Sequence, residues 1–295
     1  MTPMRADAVD RLAIVGCGLM GGSFALALKE AGLVRKVVGF SPSERSRHLA
    51  LERGVVDQAF DQLPAAIGGA DLVLIAVPVS QMKSTFAAIR PVLGESALVM
   101  DVGSTKCDVI EAAQAGLGDR IKQWLPCHPI AGKEKAGIEH AEAGLYRDRP
   151  LILTPMGVNS PSQIKRATAL WEALGCRVHL MSPQEHDQTF AAVSHLPHLL
   201  AFAYLLGLTG QSDHLQWMDR AGPGFRDFTR IAASDPIVWR DILMANASHV
   251  LAQSEQFSQA LHAMNQAIRS GDAQALQSLI QQASERRSAW QLEGL

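Results

Sequence analysis

Apolar and polar positions follow two different rhythms along this chain, and the change falls near residue 182. Before it, short continuous apolar runs recur: LAIVG at 12–16, VVGF at 37–40, DLVLIAVP at 71–78, SALVMDVGS at 96–104, WLPCHPIAG at 124–132, LILTP at 151–155 and RVHLM at 177–181. Runs of this length bounded by Gly, Pro and Ser predict strands buried on both faces. Pro126 inside the fifth of them predicts a short or edge strand. Between the runs lie stretches with helical spacing, among them SFALALKEAG, about Thr105–Ala115 and Ser160–Leu174. Strand and helix in alternation predict an α/β domain over residues 1–182, a Rossmann-like doubly wound, mainly parallel sheet that the last two runs extend.

The second rhythm starts at Ser182-Pro183-Gln184-Glu185, a capping-box pattern with proline at the first helical position. No strand pattern follows. Helical spacing covers 183–208, 235–269 and 272–291, with Leu251, Phe257, Leu261, Met264 and Ile268 on one face and Leu276, Leu279 and Ile280 on another. Asp235 and Asp272 stand where N-caps belong. An all-helical domain over 183–295 is therefore expected. Long helices on so small a domain cannot bury their apolar faces alone, which predicts a homodimer through the C-terminal helices. Thr189–Gln211 has no Asp, Glu, Lys or Arg and is long enough to cross a bilayer. His195, Pro197 and His198 interrupt it without basic flanks, so it is read as a buried helix rather than a membrane span.

Composition narrows the partners. At 295 residues with 47% hydrophobic side chains, the chain can fill two cores. A net charge of −2 without a basic block speaks against nucleic acid and anionic membranes, leaving a small molecule. Cys17, Cys107, Cys127 and Cys176 are widely spaced, and the polar opening MTPMRADAVD has no signal-peptide core. A cytoplasmic protein with free thiols is expected.

Gly16, Gly18 and Gly21 follow the first strand at G-x-G-x-x-G spacing and open a helix. This is the dinucleotide-binding pattern: a tight turn, close approach of backbone to a pyrophosphate, and close helix–strand packing, with Leu19 and Met20 inside the loop. At the end of the second strand, where NAD enzymes place a carboxylate, stands Ser41, followed by Arg45 and Arg47. A hydroxyl and a guanidinium suit a 2′-phosphate, which favours NADP over NAD. The alternative is that the arginines only solvate a helix start, and Glu44 supports it.

With 96–104 counted as the fourth strand, the loop Asp101–Lys106 is expected beside the glycine loop, and the strand through His128 beside that. Ser104 and His128 would then share one rim. A histidine there can act as a general base or simply hydrogen-bond its loop. Arg226 with Asp227 and Arg240 with Asp241 read as local ion pairs. His195 and His198 have ligand spacing but no carboxylate or thiolate nearby in sequence, so no metal is expected.

GCGLMGGS, DVGSTK, HPIAGKEKAG, EHD, SHLPH and GFRDFTRIAASDPIVWRDI, in this order and spacing, resemble the prephenate/arogenate (cyclohexadienyl) dehydrogenase family of tyrosine biosynthesis. The resemblance implies a Rossmann domain followed by a helical dimerisation domain. It also implies NAD(P)-dependent oxidative decarboxylation of prephenate or arogenate, to 4-hydroxyphenylpyruvate or tyrosine. By the same likeness His128 is the base, Ser104 contacts the substrate hydroxyl and orients His128, and His195 and Arg230 contact substrate. Glu134, Gly222 and Trp239 fall at positions used around the pocket and in its response to tyrosine as an inhibitor. Ser41 departs from the acidic pattern of NAD users. Neither a mutase-like extension before the motifs nor an ACT-like one after them is evident, so a monofunctional dehydrogenase is expected. The rivals are a β-hydroxyacid dehydrogenase, which uses a lysine base in the helical domain, and a redox-sensing NADP-binding module.

Overall fold

The computed structural model describes residues 8–133 and 135–290. Strands β1 (Val9–Val15), β2 (Val34–Phe40), β3 (Gln58–Phe60), β4 (Leu72–Ile75), β5 (Leu98–Asp101) and β6 (Trp124–Leu125) form one parallel sheet in the order β3-β2-β1-β4-β5-β6. Alternate side chains of the apolar runs point to opposite faces. Leu12, Ile14, Leu72 and Leu74 enter one core with Phe24 and Trp171, and Ala13, Val15, Val73 and Ile75 enter the other with Phe86 and Trp124. Helices α1 (Leu19–Glu30), α2 (Glu44–Glu52), α3 (Leu63–Ile67), α4 (Met82–Ile89) and α5 (Cys107–Leu117) are the crossovers.

Two expectations about this half need correction. The strand Gln58–Phe60 is too short and too polar to stand out as an apolar run, and its presence shifts the count. The neighbour of β1 is β4, with Leu12 opposite Leu72, so β5 and the Asp101–Lys106 loop lie one strand farther from the glycine loop than expected. The last runs also do not extend the sheet. Pro126, which has no N–H to donate, ends β6, and β7 (Cys127–Pro129), β8 (Pro150–Leu153) and β9 (Arg177–Leu180) make a separate three-stranded sheet. In it β7 runs antiparallel to β8, and β8 parallel to β9. Helix α6 (Pro161–Ala173) connects β8 to β9, capped reciprocally by Ser160 and Gln163.

Beyond β9 every element among the described residues is helical: α7 (Pro183–Phe190), a π turn (Ala191–His195), α8 (Leu196–Thr209), α9 (His214–Asp219), α10 (Pro223–Thr229), α11 (Pro236–Ala245), α12 (Ala247–Ser270) and α13 (Ala273–Ala289), with a short 3-10 turn at Arg230–Ala233. Ser182, Asp235 and Asp272 cap their helices by accepting backbone N–H groups. The apolar stretch through 189–211 is not the buried helix expected. Pro183–Thr209 is one helical run, long and apolar enough to cross a membrane, yet only 17% of its apolar window is buried. Soluble domains contain such helices too, and this one turns His186, Asp187 and His195 into the protein interior. Its apolar face is left open in the single chain, as are Leu251 and Ile268 on α12.

Candidate active site

A buried ion pair joins the ends of β5 and β7. Asp101 and Lys106 are both wholly buried and paired; Lys106 Nζ also donates to the Cys127 carbonyl at 2.7 Å, and Asp101 Oδ1 accepts the Cys127 N–H at 3.0 Å. Removing either charge would leave the other buried without a partner, so the two hold this corner as a unit. The result brings Ser104, just after β5, and His128, on β7, into the lining of one cavity of about 760 Å³.

His128 is the end of a hydrogen-bonded chain. Its Nδ1 lies 2.8 Å from His186 Nε2, and His186 Nδ1 lies 2.7 Å from Asp187 Oδ1. Asp187 accepts further bonds from the N–H groups of Lys106 and Cys107 at the start of α5. Burial pushes the Asp187 carboxyl up, but His186 and those two N–H groups outweigh it, and its pKa falls to about 2. An ionised carboxylate only accepts, so His186 carries its proton on Nδ1 and presents a bare Nε2. His128 must then donate from Nδ1, which leaves its own Nε2, the edge offered to the cavity, as a proton acceptor. Burial, reinforced by His186 and Lys106, holds the His128 pKa well below the ordinary 6.5, so the ring is neutral at neutral pH. Such a ring can take a proton from a hydroxyl, and the imidazolium so formed faces an anion through one intervening ring.

His195, His198, Arg230 and Trp239 line the same cavity. His198 stacks on Trp239 with ring centroids 3.4 Å apart and bonds the Ser194 carbonyl through Nδ1. Arg230 opens the 3-10 turn after α10. Arg226 pairs with Asp227 and Arg240 with Asp241, as the spacing predicted, and Asp241 also accepts the Ser80 hydroxyl across the two halves. Gly222 is the N-cap of α10, while Glu134 lies outside the described residues.

The cofactor-binding candidates lie apart from that lining. Gly16 has φ +102°, and a Cβ on it would strike the Ala76 carbonyl; one on Gly21 would sit 2.6 Å from the Ile14 side chain. Gly18 faces open space and caps α1 without any side-chain bond to the helix N–H groups. A bare helix start behind an open glycine fits a pyrophosphate. The Leu19 side chain packs in the core, and the Met20 carbonyl accepts the Tyr146 hydroxyl at 2.7 Å. Ser41 is buried at the end of β2, where its carbonyl and that of Pro42 are held by Arg47. Arg45 is exposed on α2, 3.6 Å from Glu139.

His186, Asp187, Asp101 and Lys106 were not singled out by sequence reasoning. Their signal was present in the motifs EHD and DVGSTK, but the joining of positions 128 and 186 has no periodicity to betray it.

Comparison with known proteins agrees with this architecture. Residues 24–180 match the model of the prephenate dehydrogenase nucleotide-binding domain, and residues 182–282 that of the prephenate dehydrogenase dimerization domain. A cyclohexadienyl dehydrogenase of Zymomonas mobilis is 35% identical over 94% of this chain and 95% of its own length. A prephenate dehydrogenase of Bacillus subtilis is 32% identical over 94% of this chain and 75% of its own length. The crystal structure of prephenate dehydrogenase from A. aeolicus with hydroxyphenyl propionate and NAD+ superposes with TM-score 0.88, at 33% identity, covering 95% of this chain and 97% of that one.

Proposed function

Because the chain belongs to the prephenate dehydrogenase family, we propose that it oxidatively decarboxylates prephenate, arogenate or both in tyrosine biosynthesis, with His128 as the base. The observation that carries this reading is the His128–His186–Asp187 chain, which leaves His128 Nε2 bare, in a cavity that Ser104 and Arg230 also line.

The chemistry follows from the substrate, a cyclohexadiene with a ring alcohol opposite a ring carboxylate. His128 Nε2 takes the hydroxyl proton, and Ser104 contacts the same oxygen. A nicotinamide nucleotide bound at the glycine loop supplies the hydride acceptor. The ring ketone then receives the electron pair of the breaking C–CO₂ bond, CO₂ leaves, and the ring becomes a phenolate. The proton held on His128 returns to that oxygen. Asp187, through His186, balances the charge while His128 holds it. Aromatisation drives the sequence, so the protein supplies chiefly orientation and one proton acceptor. Arg230 holds a substrate carboxylate through paired hydrogen bonds, with His195 beside it.

Further assignments belong to the same reading. Residues 1–182 bind the cofactor and 183–295 complete the substrate site and dimerise. Gly16, Gly18, Leu19, Met20 and Gly21 cradle the pyrophosphate with their backbone, and Ser41 with Arg45 favours NADP over NAD. The homodimer forms through the C-terminal helices, where apolar side chains stand open. The four thiols are free, which suits the cytoplasm, and tyrosine, which keeps the phenol of the product, inhibits by entering the same cavity. Absorbance of the reduced cofactor with prephenate and arogenate, each against NAD and NADP, tests the reading. Turnover in any pairing supports it and sets substrate and cofactor together; silence in all four while NADP still binds would favour the sensing module.

A further inference from the structure

Asn246 sits at the break between α11 and α12 and is 2% exposed. Its backbone continues the helical bonding on both sides, to the Ile242 carbonyl and from the Val250 N–H. Its amide reaches three other residues. Nδ2 lies 2.7 Å from the Asp187 carbonyl oxygen and 3.1 Å from His195 Nδ1, while Oδ1 lies 2.9 Å from His249 Nδ1.

These contacts decide where a proton sits. A backbone carbonyl only accepts, so the NH₂ and not the oxygen of Asn246 faces Asp187. The second hydrogen of that NH₂ points at His195 Nδ1, which must therefore be a bare lone pair. The His195 proton is then on Nε2, and since the Nδ1 edge is taken by Asn246, the Nε2–H edge is what His195 offers the cavity it lines. Asn246 Oδ1 is left to accept His249 Nδ1–H, so every hydrogen of the amide has one acceptor.

We propose that Asn246 is a positioning residue that locks His195 in its Nε2–H tautomer, so that His195 meets the substrate as a neutral hydrogen-bond donor selective for an oxygen acceptor. This rests on the reading of the cavity as the substrate site. A carboxylate or keto oxygen satisfies that donor; an ammonium or hydroxyl hydrogen finds no acceptor there. The titratable groups around His195 include Asp187, His186, His198 and His128, with the Trp239 ring edge-on at 6.2 Å. Burial dominates them and brings the His195 pKa to about 4, which keeps the ring neutral. Asp187 thus sets two histidines in opposite senses. Its carboxylate, through His186, makes His128 an acceptor toward the cavity, and its carbonyl, through Asn246, makes His195 a donor.

Long-range ¹H–¹⁵N spectra of the full-length protein labelled with [¹⁵N]histidine read the tautomer directly, with His195 assigned by the signals missing in His195→Gln. The expected wild-type pattern is Nε2–H; an Nδ1–H pattern overturns the proposal. Asn246→Asp puts an oxygen against His195 Nδ1 and demands a proton there. His195 should switch to Nδ1–H or to the doubly protonated form, with KM raised about tenfold or more and kcat changed far less. A folded Asn246→Asp protein that keeps the Nε2–H pattern removes Asn246 from the role, and one that switches without a change in KM removes the donor role of His195. Should Asn246→Asp not fold, Asn246→Ala takes its place, and a tautomer still held wholly as Nε2–H in it would equally overturn the lock. The spectra need no turnover, so a wild-type Nε2–H pattern in a protein inactive on both substrates would count against the functional reading alone.

Discussion

In the sheet half Leu12, Ile14, Leu72 and Leu74 are wholly buried among side chains of the same chain, whereas in the helical half Leu206 is 74% and Leu251 66% exposed. Helix α13 has no buried residue at all. The sheet half closes its own cores with crossover helices on both faces. The helical half presents apolar stripes that no described residue of the chain covers, and burial of such stripes is what stabilises a helix in water. The chemistry divides along the same line. His128, Ser104 and the Asp101–Lys106 pair belong to the closed half, and His195, Arg230 and Trp239 to the open one. His186 and Asp187, buried on α7, join the two, His186 by its bond to His128 and Asp187 by its bonds to the start of α5. The proposed proton acceptor therefore stands on the half that closes its own cores, while the proposed substrate-holding groups stand on the half whose apolar faces are open.

Four substitutions break or sharpen this contrast, in descending order of expected effect. His128→Asn removes the base and should lower kcat by about 10²–10⁴-fold while cofactor affinity, a property of the glycine loop, stays the same. Unchanged turnover would take His128 out of the mechanism. Arg230→Ala should raise KM roughly tenfold to a hundredfold with a smaller change in kcat, and a normal KM would rule out carboxylate binding there. Leu251→Asp places a charge on the open face of α12. Sedimentation should show the assembly dissociating at concentrations where the unaltered protein stays associated, and the dependence of unfolding on protein concentration should be lost once it has dissociated. An assembly that survives the charge would mean that the partner does not cover this face. Arg45→Ala, at an exposed site, should weaken NADP a few-fold more than NAD in a binding titration, since only NADP carries the 2′-phosphate. Equal losses would make Arg45 a bystander, with Arg47 serving only to hold the β2 loop.

The contrast also explains what could be read from the sequence. Strands buried on both faces leave continuous apolar runs, so β1, β2, β4 and β5 were plain, and caps such as Ser182, Asp235 and Asp272 marked their helices. The glycine loop was legible because a φ of +102° and a contact with Ala76 leave no room for another residue at Gly16. What escaped was what depends on distant partners. Strand β3 is three residues with a polar start, and its omission misplaced the neighbour of β1. Pro126 signalled an irregular strand but not that the chain would leave for a second sheet. The helix through 189–211 looked buried because its apolar residues need cover, and a single sequence does not tell cover by the same chain from cover by another. His186 and Asp187 sit in the middle of an ordinary short helix, and only the tertiary fold sets them against His128 and the start of α5.

The central claim is that a neutral, half-buried His128, held by His186 and Asp187, is the proton acceptor. The pH dependence of kcat/KM tests it most directly, because that ratio titrates the free protein. Burial disfavours the charged ring, so the base-competent neutral form persists as pH falls through 6.5, and activity is lost only when pH drops through the lowered pKa of His128. The expected profile is level across pH 6.5 with its acid limb below that value. An acid limb centred at or above 6.5, one that His128→Asn leaves in place, would contradict the account.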